Sequence, residues 1–113
     1  MKITDIKTFV VGNPPPHFGG RYFIFVKLTT DNGIVGYGEV YAATFSPHVV
    51  AAMTEDLAQR CVIGMDPFHI ETMWRRAYGS GYSQRPEISL MGAVSGLEIA
   101  CWDIVGKAVG KPV

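Results

Sequence analysis

The chain has 113 residues, of which 48% are hydrophobic and 18% are charged, and its ten Lys and Arg residues balance ten Asp and Glu residues. This length and composition are typical of one small domain with its own core, and they exclude a disordered chain. Because the basic residues are scattered along the sequence, it offers no patch for nucleic acid or for an anionic membrane surface.

The cysteines and the N-terminus both favour a cytoplasmic protein. Cys61 and Cys101 lie in apolar stretches of two different predicted helices, which predicts reduced thiols in the core. The N-terminus carries Lys2 and Asp5 in place of an apolar signal core. No apolar run is expected to approach the roughly 20 residues that span a bilayer, so we expect no membrane partner.

Three strands are predicted in the first forty residues, at residues 3–11, 21–30 and 34–40. These segments are rich in Ile, Val, Phe and Thr, which favour strands. Residues 31–33, with the sequence Asp-Asn-Gly, form a tight-turn motif because Asn and Gly tolerate positive φ. The sequence therefore predicts an antiparallel meander.

The third predicted strand has one face without side chains, because Gly36 and Gly38 alternate with larger residues. Glycine in a strand often marks a place where another element approaches the backbone closely. A neighbouring helix and a ligand-binding loop are both compatible with this pattern, and we favour the helix.

Three helices are predicted after the strands. The first has Ser46 as its N-cap and Pro47 at its first position and ends at Gly64, the second runs from residues 66–67 to residues 79–81, and the third runs from residues 86–87 to about residue 107. Strands followed by helices predict an α+β fold, with a three-stranded antiparallel β-meander followed by a bundle of about three α-helices.

The third predicted helix shows the strongest periodicity in the chain. Its apolar residues recur at steps of three and four, namely Leu90, Val94, Leu97, Cys101, Ile104 and Ala108. Another side carries Gly92, Gly96 and Ala100. Each glycine costs an isolated helix about 1 kcal/mol, so we expect this helix to have close neighbours on two sides.

No common catalytic signature is present in the sequence. It has no dinucleotide-binding loop, no phosphate-binding loop of the Walker type and no nucleophile elbow. His17, His48 and His69 lack the spacing of metal ligands. Each of the three is more simply explained as a solvated or packed residue.

Two loops are the candidates for contact with a small molecule. Residues 13–21 combine three prolines, which stiffen the loop, with two glycines, which let it bend. Such a loop is suited to move as one unit over a site. Residues 41–45 offer a phenol, a hydroxyl and an aromatic ring. Either loop can also be an ordinary connection.

An ordered set of motifs identifies a family. The motifs are the Asp-Asn-Gly-Ile-Val-Gly-Tyr-Gly-Glu run at 31–39, Gly-Met-Asp-Pro at 64–67, Trp-Arg-Arg at 74–76, and Trp-Asp-Ile followed by Gly-Lys at 102–107. Together they resemble the N-terminal capping domain of the enolase superfamily, in its mandelate racemase and muconate lactonizing enzyme branch. The resemblance implies that residues 1–113 are this domain and that a catalytic (β/α)8 barrel follows residue 113.

The resemblance also implies a division of labour between two domains. In this family the barrel supplies the catalytic bases and the carboxylates that bind Mg²⁺, so this chain is expected to hold no catalytic or metal-binding residue and to be inactive alone. The N-terminal domain closes two loops, at residues 13–21 and 40–46 here, over a substrate whose α-proton is removed. Glu39 is then expected to pair backbone donors of the adjoining loop, and Glu98 and Asp103 to be buried anchors.

The substrate implied by the resemblance is a sugar acid. Residues 78–86 look more like those of acid-sugar dehydratases than those of muconate cycloisomerases, and their polar side chains suit a polyhydroxylated anion. We expect His17, Arg21, Tyr41 and Thr44 to contact this substrate, together with the barrel. A homo-oligomer is expected, and nucleic acid is not an expected partner.

Three other functions stay open. The enzyme could be a racemase, an epimerase or a cycloisomerase of the same family. The chain could instead be a stand-alone interaction module that kept this fold without catalysis, or an independent binder of small molecules with its site between the loops and the glycine-rich strand. A domain severed from a barrel should expose an apolar face, whereas a true module should be monodisperse.

Overall fold

The computed structural model describes residues 1–41, 45–79 and 87–113. Three strands are followed by three helices: β1 (Ile3–Gly12), β2 (Tyr22–Thr30), β3 (Val35–Val40), α1 (Pro47–Cys61), α2 (Ile70–Tyr78) and α3 (Ile88–Val109). The predicted α+β architecture is confirmed.

The strands form one antiparallel sheet in the order β1-β2-β3. Phe25 on the central strand pairs with Phe9 on one side and with Glu39 on the other. The turn between β2 and β3 is the predicted one: Gly33 has a φ of 85°, and the hydroxyl oxygen of Thr30 lies 2.6 Å from the side-chain oxygen of Asn32. Because the side chains of a strand alternate between faces, the buried Ile24, Val26 and Leu28 all point toward the helices.

Helix α3 packs directly on the backbone of β3. A Cβ atom added to Gly36 would lie 2.1 Å from the carbonyl oxygen of Ala100, and one added to Gly38 would lie 1.9 Å from that of Gly96. A helix therefore packs on the bare face of this strand, which confirms the helix that we favoured over a ligand-binding loop.

The expectation that α3 has neighbours on two sides is confirmed. Its glycine side meets the end of β3, where a Cβ atom on Gly96 would lie 2.4 Å from Val40 Cγ2 and one on Gly92 would lie 2.7 Å from the carbonyl oxygen of Tyr41. Helices α1 and α2 also pack against α3. Its fully buried residues include Val94, Leu97, Cys101 and Ile104.

The long apolar helix corrects one expectation. By length and composition, α3 is the one helix in the described parts of the chain that could cross a membrane, with a mean hydropathy of 1.5 over 18 residues. The sequence-based prediction missed this because small residues and two carboxylates interrupt the apolar pattern. Since the sheet lies on one side of α3 and two helices lie on another, its apolar character is explained by core packing.

The start of α2 differs from the prediction, whereas the start of α1 agrees with it. Helix α2 begins at Ile70 rather than at residues 66–67, because the carboxylate of Asp66 accepts a hydrogen bond from the Phe68 N–H (2.9 Å) and its carbonyl accepts one from the His69 N–H (3.0 Å). These bonds close a turn before the helix. Ser46 is the N-cap of α1 by position, but its side chain makes no capping hydrogen bond.

The ends of α3 are set by local chemistry. The Glu87 carboxylate caps the N-terminus by accepting hydrogen bonds from the N–H groups of Ser89 and Leu90, both 2.9 Å long. Gly110, in the left-handed conformation with a φ of 67°, ends the helix two residues later than predicted. Of the residues expected to end α2, Gly79 is its C-cap, while residues 80–81 lie outside the described residues.

Both cysteines are free and buried, as predicted. Burial raises the pKa of the Cys101 thiol to about 12, and it also raises the pKa of Cys61. Since the thiolate is the reactive form, both side chains act as small apolar groups of the core.

Candidate functional site

The β1–β2 loop, residues 13–21, is folded onto itself by Asn13. The side-chain amide of Asn13 donates hydrogen bonds to the carbonyl oxygens of Phe18 (2.8 Å) and Gly20 (2.7 Å). Its backbone N–H donates to the carbonyl of Arg21 (2.8 Å). These hydrogen bonds hold the loop together as one unit. A loop that moves as a whole needs such internal bonds, but its movement stays a prediction.

His17 lies near the tip of this loop in an unusual backbone conformation. Its φ is 61°, the left-handed region that costs a non-glycine residue about 1–2 kcal/mol. Its ring nitrogen Nδ1 lies 2.6 Å from the carbonyl oxygen of Asn13, and the residue is half-buried. The neighbouring Phe18 is 84% exposed. An apolar ring at the tip of a loop can exclude water when the loop is covered.

A cavity of about 300 Å³ lies where this loop meets the ends of β2 and β3. Its walls come from residues 19–24 and 39–41, and they include Arg21, Glu39 and Tyr41. These segments lie close together because, in the antiparallel meander, the start of β2 and the end of β3 lie at the same end of the sheet. Two of the four predicted substrate contacts, Arg21 and Tyr41, are thus brought together.

The polar groups of this cavity are available to a ligand. Arg21 and Glu39 are exposed and Tyr41 is 65% exposed. Within the described parts of the chain, none of these three side chains makes a hydrogen bond or an ion pair. A guanidinium offers several donors in a fixed plane, a phenol can donate or accept, and a carboxylate accepts. This set can bind a small polar molecule that carries both hydroxyls and a negative charge.

The other predicted contacts have different outcomes. His17 belongs to the same loop but does not line the cavity, so its contact with a substrate stays a prediction. Thr44 lies outside the described residues, as do residues 42 and 43 of the second predicted loop. Glu39 makes no hydrogen bond to described residues, and the loop donors that it was expected to pair fall partly in residues 42–44.

Sequence reasoning missed the role of Asn13. The available indication was its place after a strand and before three prolines, where Asn commonly bonds to nearby backbone. Glu39 was interpreted as a structural group that pairs backbone donors, whereas the structure places it in the lining of the cavity. Its pairing opposite Phe25 puts it on the sheet face away from the helices, and this depends on strand register.

The described residues do not fit a Mg²⁺ site. Among them, no group of three or more His, Cys, Asp or Glu side chains lies close enough to hold a metal ion. A hard cation of this kind is held mainly by carboxylates, phosphates and water. No catalytic step through Mg²⁺ is therefore assigned to this part of the chain.

Asp103 anchors α3 to β3. Its carboxylate accepts hydrogen bonds from the backbone N–H of Tyr37 (2.9 Å) and from the ammonium of Lys107 (2.7 Å), which also donates to the Val35 carbonyl (2.7 Å). Burial acts to raise the pKa of Asp103, but the bonds from Lys107 and Tyr37 outweigh burial and hold this pKa below its ordinary value. The anchor role is confirmed for Asp103, although its side chain is 27% exposed and not fully buried. The half-buried Glu98 accepts a longer bond from the Trp102 indole of the same helix (3.4 Å), and its anchor role stays a prediction.

Replacing Asp103 with asparagine is expected to lower the free energy of unfolding at pH 7 by about 1–2 kcal/mol, because charge-assisted hydrogen bonds are lost and the side chain is only 27% exposed. A carboxyl whose pKa is lower in the folded state stabilises the fold above its unfolded value, 3.8, and this stabilisation is lost as the pH falls through the folded pKa. Urea unfolding of the wild type and D103N at pH 7 measures the difference in the free energy of unfolding, and the same experiment near pH 3 measures its decrease. A difference between wild type and D103N that persists unchanged at the lower pH would contradict this assignment.

A second concave surface lies between α2 and α3. It encloses about 520 Å³ and is lined mainly by apolar residues, among them Phe68, Ile70, Trp74, Trp102 and Val105. Phe68 and Trp102 are each close to half exposed. Exposed apolar surface of this kind fits a contact with further protein.

The comparisons with known proteins agree with this fold and its motifs. The profile of the family described as mandelate racemase/muconate lactonizing enzyme, N-terminal domain, matches residues 17–113. A D-galactonate dehydratase from Pectobacterium atrosepticum is 40% identical over the whole chain, which covers 27% of that enzyme. One from Xanthomonas campestris pv. campestris (strain B100) is 38% identical, with the same coverage.

Solved structures show the same likeness. A candidate mandelate racemase/muconate lactonizing enzyme from Labrenzia alexandrii DFL-11 matches with a TM-score of 0.93 and 62% identity, over 96% of this chain and 28% of that one. A mandelate racemase/muconate lactonizing enzyme from Sulfitobacter sp. matches with a TM-score of 0.92 and 55% identity, with the same coverage. The chain spans 27% of the length of the curated relatives that it matches. It belongs to the mandelate racemase/muconate lactonizing enzyme family of the enolase superfamily, and it corresponds to the N-terminal domain of that family.

Proposed function

We propose that this chain is the capping and specificity domain of an enzyme that removes the proton next to a carboxylate, and that the enzyme dehydrates a sugar acid. The relatives named D-galactonate dehydratase align with the whole chain, and D-galactonate is a polyhydroxylated carboxylate. Removal of the α-proton, followed by loss of the hydroxyl on the β-carbon as water, gives an enol that tautomerises to a keto acid.

The cavity that joins Arg21, Glu39 and Tyr41 is the observation that best supports this proposal. A sugar acid carries a hydroxyl on most carbons, and each hydroxyl needs a partner once water is removed. Arg21 would donate to oxygen atoms of the acid, Glu39 would accept from a hydroxyl, and Tyr41 could do either. Thr44 would add a hydroxyl from the following loop. The exposed ring of Phe18 would help to exclude water.

The proposal assigns the chemistry itself to a second domain. We propose a (β/α)8 barrel after residue 113 that holds the catalytic bases and Mg²⁺, which would stabilise the enolate formed when the proton leaves. The apolar surface between α2 and α3 is compatible with a domain of this kind. A homo-oligomeric, cytoplasmic enzyme is part of the same proposal.

Two measurements on the product of the natural gene test this function. Its intact mass should exceed the 12.4 kDa of this chain by roughly the 250 residues of a barrel. The protein should then convert D-galactonate or another sugar acid to a keto acid. Conversion of mandelate or a muconate instead would favour a racemase or a cycloisomerase. A monodisperse protein of 12.4 kDa without turnover would favour the stand-alone module.

A further inference from the structure

We infer that Asn13 is a positioning residue that fixes the ring of His17, so that the Nε2 atom of His17 is the group that the β1–β2 loop offers to a hydroxyl of the substrate. The inference rests on the proposed function for the identity of the ligand. It does not need that function for the state of the His17 ring, which is a property of the loop alone.

The bonds of Asn13 span almost the whole loop. Three donated bonds, between 2.7 and 2.8 Å, reach the carbonyls of Phe18, Gly20 and Arg21. The backbone carbonyl oxygen of Asn13 lies 2.6 Å from Nδ1 of the His17 ring. One half-buried residue thus ties both ends of the loop and its tip together. Without the side-chain amide, two of these cross-loop bonds would disappear at once.

The distance between His17 and Asn13 fixes the tautomer of the ring. A carbonyl oxygen only accepts, so a nitrogen 2.6 Å away must carry a hydrogen. Nδ1 of His17 is therefore the N–H, and in the neutral ring Nε2 is left with its lone pair. The left-handed backbone of His17 is held by two further bonds, from the His17 N–H to the Pro14 carbonyl (3.0 Å) and from the Gly20 N–H to the His17 carbonyl (3.0 Å).

This arrangement complements the cavity, which the same loop lines at residues 19–21 but not at His17. Arg21, at the other end of the same loop, can only donate hydrogen bonds, whereas Nε2 of neutral His17 can only accept. A hydroxyl can donate to one group and accept from another, so a polyhydroxylated chain that lies between the loop and the cavity would satisfy both. A polyhydroxylated acid, the ligand class of the proposed function, supplies such hydroxyls.

The tautomer can be measured without any substrate. In the full-length protein, with histidine labelled by ¹⁵N, the ring nitrogens of His17 are identified from the signals that vanish in H17Q. At a pH where the ring is neutral, we expect the wild type to show the hydrogen on Nδ1, whereas N13A and N13D should shift toward the Nε2–H form that free histidine prefers. Asp has nearly the size of Asn but lacks the amide donors, so N13D separates the bonds from the volume.

Asn32→Ala is the matched control. Asn32 also lies in a turn and has a side-chain contact to Thr30, but its turn is at the opposite end of the sheet. We expect N32A to leave the His17 tautomer unchanged. If N13A and N13D keep the wild-type tautomer and the wild-type exchange rate of the Gly20 amide, Asn13 does not position His17 and the inference is wrong.

Kinetics test the second half of the inference. We expect N13A and N13D to raise KM for the sugar acid about 10-fold with kcat changed less than about 2-fold, and the effect of N13A should shrink in an H17A background, because residues that act through one another are not additive. A full, additive effect of N13A in that background would overturn the link through His17. Failure of the wild type to act on any sugar acid would overturn the ligand class and the proposed function, while the tautomer measurement would still decide the positioning role.

Discussion

Gly38→Ala should destabilise the domain by about 3 kcal/mol or more, at the upper end of the range for overpacking. The new Cβ atom would lie 1.9 Å from the carbonyl oxygen of Gly96 and 3.0 Å from the backbone nitrogen of Ala100. Both are backbone atoms of α3, so no side chain can rotate away to make room, and the helix itself would have to move off the sheet. Urea unfolding followed by circular dichroism measures the loss.

Gly12→Ala is the control for Gly38→Ala. Gly12 also lies in a strand, but a Cβ atom added to it would have no heavy atom within 4 Å, and its φ is not in the left-handed region. We expect G12A to change the free energy of unfolding by less than about 0.5 kcal/mol. Equal stability of G38A and G12A would show that α3 does not sit on β3 as described.

The close packing of α3 on β3 is also the part of the fold that the sequence predicts best. Gly36 and Gly38 leave one strand face bare, and Gly92 and Gly96 leave one helix face bare. Two surfaces without side chains allow two backbones to approach each other closely. The glycines of the strand and those of the helix therefore together predict that these two elements pack against each other. The periodicities of strands and helices are local properties, and this is why the α+β order could be predicted.

The start of α2 could not be predicted in the same way. Asp followed by Pro is a common helix start, and at residues 66–67 it satisfies every local rule. The carboxylate of Asp66 instead closes a turn on Phe68, and the helix begins three residues after Pro67, at Ile70. One side chain had two local partners of similar quality, and the choice between them depends on how the following helix packs.

The candidate site was predictable in part for a related reason. Arg21 precedes β2 and Tyr41 follows β3. The start of β2 and the end of β3 lie at the same end of the sheet, so the proximity of these two residues follows from the meander. The hydrogen bonds of Asn13 to carbonyls five and seven residues away depend on the shape of a loop without regular structure. The place of Glu39 on the outer face depends on register, which a one-residue shift would reverse.

Arg21→Ala is expected to lower kcat/KM of the proposed full-length enzyme for its proposed sugar-acid substrate about 100-fold, because the loss of a charged hydrogen-bond donor to a bound ligand costs about 1.5–3 kcal/mol and each 1.4 kcal/mol is tenfold. Arg21 is one of the residues that line the cavity, and its side chain is exposed and makes no hydrogen bond or ion pair within the described residues. Its guanidinium is thus free to bind a ligand. Steady-state kinetics with the best sugar acid measures the change, which should be mainly in KM.

Two further variants test whether Arg21 acts through its planar donors or only through its charge: Arg21→Lys, and Arg75→Ala as a control at a distant arginine. Arg21→Lys keeps the charge but loses the planar fork of donors. We therefore expect its kcat/KM to be about 10-fold below that of the wild type, and above that of R21A. Arg75→Ala removes an exposed arginine that pairs with Glu71 on α2 (2.7 Å), away from the cavity, and should leave kcat/KM unchanged. If R21A behaves like R75A on the true substrate, Arg21 does not contact it, and the cavity beside the β1–β2 loop is not the place where this domain meets the acid.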